Sequence, residues 1–251
     1  MERDLFHQEA QMEFKKAIIV GASSGMGREL CRILVRNNYA VGITGRRENL
    51  LKELQAESPD RIRYRAFDIR DLSKTTRGLR ELIRELGGLD LLVLSSGAGF
   101  INDDLDPEPE FRTVDTNVTA FTDIMTFGFR YFMKHPPGHL VGITSIGGLR
   151  GNPSAPAYNA SKAYQSNYLE GLRMKARKSG ERITVTDIRP GFVATDMARG
   201  DRLFWLTSPE KAASLIYRSI CRKKRVAYIS RRWRLFALLL KIAPRWIFEK
   251  L

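Results

Sequence analysis

Cysteine and long apolar runs are both scarce in this 251-residue chain, and each shortage removes a class of protein. Its two cysteines, Cys31 and Cys221, stand far apart. They supply neither a disulfide framework nor a metal-ligand spacing, so no metal site is expected. No stretch approaches the roughly 18 consecutive apolar residues of a membrane span. The first residues carry acids, Glu2 and Asp4, and lack an apolar core, so they do not read as a secretory signal. A reducing cytoplasm is the setting these absences imply. No repeat, low-complexity tract or Pro/Gly/Ser linker divides the chain, and its length suffices for one large domain with a buried core. Residues 1–13 read as a loose extension, with Met12 as an alternative start.

The formal net charge of +14 invites a nucleic-acid reading. Its distribution argues against one. Residues 218–251 hold eleven Lys/Arg and a single acid, Glu249, which leaves the other 217 residues at only +4. The basicity belongs to a tail that carries no nucleic-acid-binding motif.

Short apolar or β-branched runs at 17–20, 40–44, 62–67, 91–94, 140–144, 183–188 and 226–229 alternate with longer amphipathic segments. The latter fall near 25–37, 48–57, 71–86, 108–134, 156–179 and 208–222. Ser208-Pro209 gives an N-cap followed by proline at the first helical position. Seven such cycles predict one α/β domain over 14–230, a doubly wound, parallel, seven-stranded sheet of Rossmann type. Ligands of such sheets sit at the carboxyl ends of the strands.

The first strand runs into Gly21-Ala-Ser-Ser-Gly25-Met-Gly27 and then a helix. Gly21 suits a tight turn, Gly25 a close approach of backbone to a pyrophosphate, and Gly27 close helix–strand packing. The helix N-terminus offers unpaired N–H groups to phosphate. The second strand ends at Thr44-Gly45-Arg46-Arg47. An NAD site normally has a carboxylate here for the adenosine 2′-hydroxyl; two arginines suit a 2′-phosphate instead, with Ser23 adding a hydroxyl. The cofactor expected is NADP(H).

Ser145 ends the fifth strand, Tyr158 follows 13 residues later, and Lys162 lies one helical turn beyond it. A free tyrosine, with a pKa of about 10, is a poor acid–base catalyst at neutral pH. An adjacent ammonium and an oxidised nicotinamide both favour the tyrosinate. Tyr158 would exchange a proton with a carbonyl or alcohol oxygen, and Ser145 would hydrogen-bond that oxygen. Lys162 would also be free to bind ribose hydroxyls.

With these motifs in this order, residues 15–230 resemble the classical short-chain dehydrogenase/reductases. The resemblance implies a catalytic set of Asn117, Ser145, Tyr158 and Lys162, with Asn117 holding a helix kink and a water that relays protons to the lysine. It implies cofactor contacts along Gly21, Ser23, Ser24, Gly25, Met26 and Gly27, at Arg46 and Arg47, and at Asp68, which ends strand three and meets the adenine, with Ile69. Further contacts are implied at Ser95, Ser96 and Gly97, at Tyr158 and Lys162, and along Pro190, Gly191, Val193 and Thr195, the last near the carboxamide. Homodimers or homotetramers through the helices at 108–134 and 156–179 are the usual assembly. Two positions depart from the family pattern: Leu94 stands where an asparagine ties neighbouring strands, and Val20 where a threonine precedes the first glycine. A non-catalytic dinucleotide sensor or scaffold is the rival reading, and the retained tyrosine and lysine weigh against it.

The substrate is left open beyond a small carbonyl or alcohol. Residues 196–206 read as a short substrate cover, with Arg199 and Arg202 facing the cleft, and Leu149, Arg150 and Asn152 as further lining. The segment 231–251 reads as a basic amphipathic helical tail: Arg234, Lys241 and Arg245 form one stripe, Leu235, Leu239, Ile242 and Trp246 another, and Pro244 a kink. Two alternatives stand for it. It lies on an anionic membrane surface, near a lipidic substrate and making the protein peripheral, or it packs on the body or a second subunit and closes over the site.

Overall fold

A computed structural model of the chain describes residues 14–195, 205–242 and 244. The expected N-terminal extension, most of the substrate cover with Arg199 and Arg202, and the tail from Arg245 lie outside these residues. Seven strands, β1 (Lys15–Val20), β2 (Tyr39–Gly45), β3 (Ile62–Ala66), β4 (Leu91–Leu94), β5 (Gly138–Ile143), β6 (Ile183–Pro190) and β7 (Val226–Ile229), form one sheet in the order β3-β2-β1-β4-β5-β6-β7. Every pairing is parallel. Strand order reverses between β1 and β4, the switch point at which open α/β sheets leave a crevice.

Strand side chains alternate between two cores, as a period of two requires. Ala17 and Ile19 join one core with Leu30 and Leu34 of α1 (Gly25–Arg36), Leu51 and Leu54 of α2 (Glu48–Ala56), and Ile216 of α7 (Pro209–Cys221). Ile18 and Val20 join the other with Leu79 and Leu82 of α3 (Leu72–Leu86), Phe121 and Ile124 of α5 (Phe121–Lys134), and Leu169 of α6 (Pro156–Ser179). Helix starts follow local chemistry: Asp71 and Ser208 accept hydrogen bonds from the backbone N–H groups of Lys74 and Lys211, opening α3 and α7.

Two features differ from the sequence expectation. The helix expected over 108–134 is continuous but not uniform. α4 (Pro107–Val114) passes through a π-helical turn, Asp115–Ala120, before α5. The wider turn carries Asn117, fully buried. Asp68 does not end strand three; β3 stops at Ala66, although Phe67 still donates to the Gly45 carbonyl at 2.9 Å. The segment from 231 starts along one of its two expected alternatives, packed on the body. It begins with α8 (Arg231–Ile242), whose Trp233 is only 1% exposed.

Candidate active site

The turn after β1 is built around its glycines. Gly21 has φ +93°, and a side chain there would run into Ser96; Gly27 packs so closely that a Cβ would overlap the Gly21 carbonyl oxygen. The tight-turn and close-packing roles expected of Gly21 and Gly27 are thus visible in the backbone itself. Gly25, at φ +58°, opens α1 beside the Thr195 side chain, which brings the loop after β6 to the same helix end. Ser24 takes the N-cap position of α1 but makes no side-chain capping bond, and the first turn has no acid. By contrast, Glu48 lies in the first turn of α2, Asp71, Asp106 and Ser208 cap α3, α4 and α7, and Glu110 accepts from Ala157 N at the start of α6. The α1 N-terminus therefore keeps its dipole and N–H groups for an external anion. This is the fit a bound pyrophosphate requires.

Arg47 lies over this loop, donating from Nη2 to Ser24 Oγ at 2.5 Å and to Ser23 Oγ at 3.1 Å. Arg46 is exposed next to it. Asp68 is held by Arg70, whose Nη2 lies 2.8 Å from Oδ2 and whose backbone N lies 3.0 Å from Oδ1. The hydrogen bonds from Arg70, with a smaller contribution from Arg46, hold its carboxyl below the usual range. Ile69 is buried just beyond. Met26 is half-buried against the α1–α7 core.

Leu94 is buried in the α3–α5–α6 core, so no side chain there ties the strands together. Backbone groups do it instead: Ser95 N and Ser96 N both donate to the Val20 carbonyl, at 2.8 and 2.9 Å. Beyond Gly97, Asn117 clamps Ala98, accepting from its N at 2.8 Å and donating to its carbonyl at 2.7 Å. The same amide donates to Ser161 Oγ at 2.9 Å, locking the π-turn to α6.

The catalytic candidates converge at the carboxyl end of β5. Ser145 Oγ accepts from Gly147 N at 3.0 Å, turning the chain into a 3-10 segment, Ile146–Leu149. The Tyr158 ring packs against Gly99, where a side chain would crowd it, and lies next to Gly147. Burial pushes the Tyr158 phenol up from its ordinary value, while a hydrogen bond with Ser145 pulls it down. The direction is opposite to the one expected from the lysine: Lys162 Nζ stands 5.7 Å from the ring centroid, and burial outweighs the Ser145 hydrogen bond. Lys162 is 4% exposed, and burial brings its ammonium down to about 8, with Asp187 opposing.

One residue of the site escaped the sequence reading. Gln165 is 1% exposed on α6, one turn past Lys162. Its Oε1 accepts from Lys162 Nζ at 3.0 Å, and its Nε2 donates to the Asn117 carbonyl at 2.9 Å. Lys162 also donates to the Ile143 carbonyl at 3.3 Å. A buried glutamine thus joins the lysine to the π-turn. The only sequence signal was a polar residue on the inward side of α6, in register with Ser161 and Lys162.

Pro190 ends β6, the loop beyond it carries Gly191, Val193 and Thr195, and Val193 bridges to Thr207. Gly191 is covered by the Trp233 indole, which would overlap any side chain there. Trp233 packs edge-on against Phe192, Trp205 and Phe236, and with Ala237 it covers Ile146 and Leu149. Arg150 Nε donates to the Leu240 carbonyl of α8 at 2.7 Å. Leu149 and Arg150 therefore face α8, and Asn152 Oδ1 accepts from Ser154 N in its own turn. Of the two alternatives for the tail, this face packs on the body, beside the site.

A parallel sheet with a glycine turn at its switch point, and a Ser–Tyr–Lys cluster at the same edge, defines a Rossmann-type α/β protein. Comparison with known proteins narrows this. The short chain dehydrogenase family model matches residues 15–203. An oxidoreductase of Myxococcus xanthus is 32% identical over 249 residues, covering 96% of this chain and 97% of that protein. The chain belongs to the short chain dehydrogenase family, a family of oxidoreductases. A probable NADP-dependent dehydrogenase of Haemophilus influenzae is 27% identical over 186 residues, 72% of each chain. A Burkholderia cenocepacia short chain dehydrogenase, solved in complex with NADP, shares the fold with a TM-score of 0.81 at 20% identity, covering 95% of this chain and 97% of that one.

Proposed function

We propose that the chain is an NADP(H)-dependent oxidoreductase that interconverts a carbonyl and an alcohol, with Tyr158 as the general acid–base. The observation that carries this is the convergence of Ser145, Tyr158 and buried Lys162, together with an α1 N-terminus that has no side-chain capping bond and no acid in its first turn. The Gly21–Gly27 turn and the α1 N–H groups take the pyrophosphate, with Ser24 and Met26 in that turn. Arg46, and Arg47 through Ser23, take the 2′-phosphate. Asp68 and Ile69 border the adenine side, and the Ser95–Gly97 turn, Pro190, Gly191, Val193 and Thr195 border the nicotinamide side. When bound, the cofactor supplies or accepts the hydride.

The chain's own groups manage the proton. Burial keeps the Tyr158 phenol protonated at neutral pH, the form that donates to a carbonyl oxygen during reduction. Ser145 orients that oxygen, with its own oxygen already accepting from Gly147 N. The Lys162 ammonium, below its pKa of about 8, favours the tyrosinate left behind. Asn117 and Gln165 hold the lysine and the loop after β4 in place. The relatives named for NADP support the cofactor choice, as do the two arginines in place of a carboxylate after β2. Association through α4–α6 is the proposed assembly, supported by exposed Phe111, Val114, Tyr164 and Met174 on those helices.

Turnover tests the reading. A panel of small carbonyls is screened by following the loss of reduced nicotinamide as NADPH is oxidised. Tyr158→Phe should lose at least about 100-fold in kcat while still binding NADPH. Turnover that survives this change would remove Tyr158 from the chemistry. NADPH binding without turnover of any carbonyl would favour a sensor.

A further inference from the structure

Helix α8 has two apolar faces, and the fold uses only one. Trp233 and Ala237 are each 1% exposed against the body, whereas Leu235, Leu238, Leu239 and Ile242 are 66%, 56%, 60% and 68% exposed. Their spacing of i, i+3, i+4 and i+7 makes one continuous outward strip. Arg231, Arg232 and Arg234 are exposed at the start of the helix, with Arg232 and Arg234 on opposite flanks of the strip. None of the three has a carboxylate partner among the described residues. Trp205 and Leu206 are also 45% and 50% exposed, with Trp205 packed on Trp233 and Phe236 of the same helix.

We propose that this outward strip of α8 docks the protein on an anionic lipid bilayer surface, with the leucines in the acyl boundary and the arginines at the headgroups. Charge complementarity selects this occupant. Residues 231–242 contain no acid. A second copy packed strip to strip would bring two sets of three arginines together with no counter-charge from either helix. An anionic lipid surface supplies that counter-charge, and arginine stems lie along apolar surface while their heads stay in the headgroup layer. The 12 residues of α8 extend about 18 Å, far short of the roughly 30 Å hydrocarbon core, so the helix lies in the interface. No helix among the described residues is long and apolar enough to cross.

Docking has a consequence for the site. The inward face of α8 rests on Gly191, and its Leu240 carbonyl is held by Arg150 in the turn after Ser145. The membrane would then lie beside the mouth of the catalytic cleft, and substrates that partition into lipid would reach it from the bilayer.

The full chain is floated with vesicles of phosphatidylcholine alone and of phosphatidylcholine with phosphatidylserine, at low and high salt. Binding to the anionic vesicles, released by salt and reduced about tenfold or more in Leu235→Glu/Leu239→Glu, is the expected result. Both positions are exposed, so the thermal melt of the variant should match the parent. No flotation with either vesicle would overturn the proposal. So would a dimer, seen by light scattering, that the double variant abolishes without any vesicle binding by the parent. The vesicle test does not depend on the catalytic assignment and stands if no carbonyl is turned over.

Discussion

Gln165→Leu tests how the Lys162 ammonium is held. The side chain accepts from Lys162 Nζ at 3.0 Å and donates to the Asn117 carbonyl at 2.9 Å, in a position only 1% exposed. Leucine fills similar space but offers no acceptor. A hydrogen bond to a charged group is worth about 1.5–3 kcal/mol net, and one pKa unit is about 1.4 kcal/mol, so the ammonium loses roughly one to two units of support. Burial already brings Lys162 down to about 8. The variant lysine therefore titrates near or below neutral pH. In a pH profile of kcat/KM with NADPH and a turned-over carbonyl, the alkaline limb should move toward acid by about one unit or more, with activity at neutral pH down about two- to tenfold. Gln165→Glu should move the limb the other way, because a carboxylate beside the ammonium favours its charged form. A limb that stays within a few tenths of a unit in Gln165→Leu, with unchanged kcat/KM, would refute the argument.

Other groups give sharper tests of the fold. Burial depresses His139 to about 4, where Nε2 contacts Thr186 Oγ1 at 2.8 Å. The unfolded chain binds that proton first, so this contribution is present above about 6.5 and is lost as pH falls toward 4. It amounts to up to about 3 kcal/mol. Urea unfolding at several pH values should show the loss, and His139→Gln should flatten it; an equal slope in both proteins would contradict the assignment. Cys31 is buried, which pushes its thiol up to about 12, whereas Cys221 is exposed. A thiol reagent should therefore label Cys221 in the native protein and reach Cys31 only after denaturation. Native labelling of both, by mass spectrometry, would show that the α1 core opens.

Much of the fold was legible because parallel strands are buried on both faces and read as uninterrupted apolar runs, as in Ala17–Val20 and Leu91–Leu94. The glycine turn was legible because Gly21 and Gly27 occupy positions where a side chain would overlap the neighbouring backbone. Helix periodicity, by contrast, cannot register one wider turn, so the π-turn around Asn117 was hidden within an otherwise regular pattern. Gln165 was hidden for another reason: its partners lie 48 residues back and one turn back, and only the fold brings them together. The sequence left two alternatives open for the tail, which has two apolar faces. The Leu235–Ile242 stripe was the conspicuous one, yet Trp233 and Ala237 are what the body buries. The direction of the Tyr158 shift depends on burial, which charge spacing does not reveal.

Cofactor selectivity tests the central claim most directly. Fluorescence energy transfer from tryptophan to nicotinamide is followed as NADPH and NADH are titrated separately into the wild-type protein and into Arg46→Asp. NADPH should bind at least about tenfold more tightly than NADH, and the variant should lose most of that difference, as expected when a guanidinium that pairs with the 2′-phosphate becomes a like charge. Equal affinity for both nucleotides would contradict the NADP assignment. Binding of neither would leave the Gly21–Gly27 turn a purely structural feature and withdraw the proposed function.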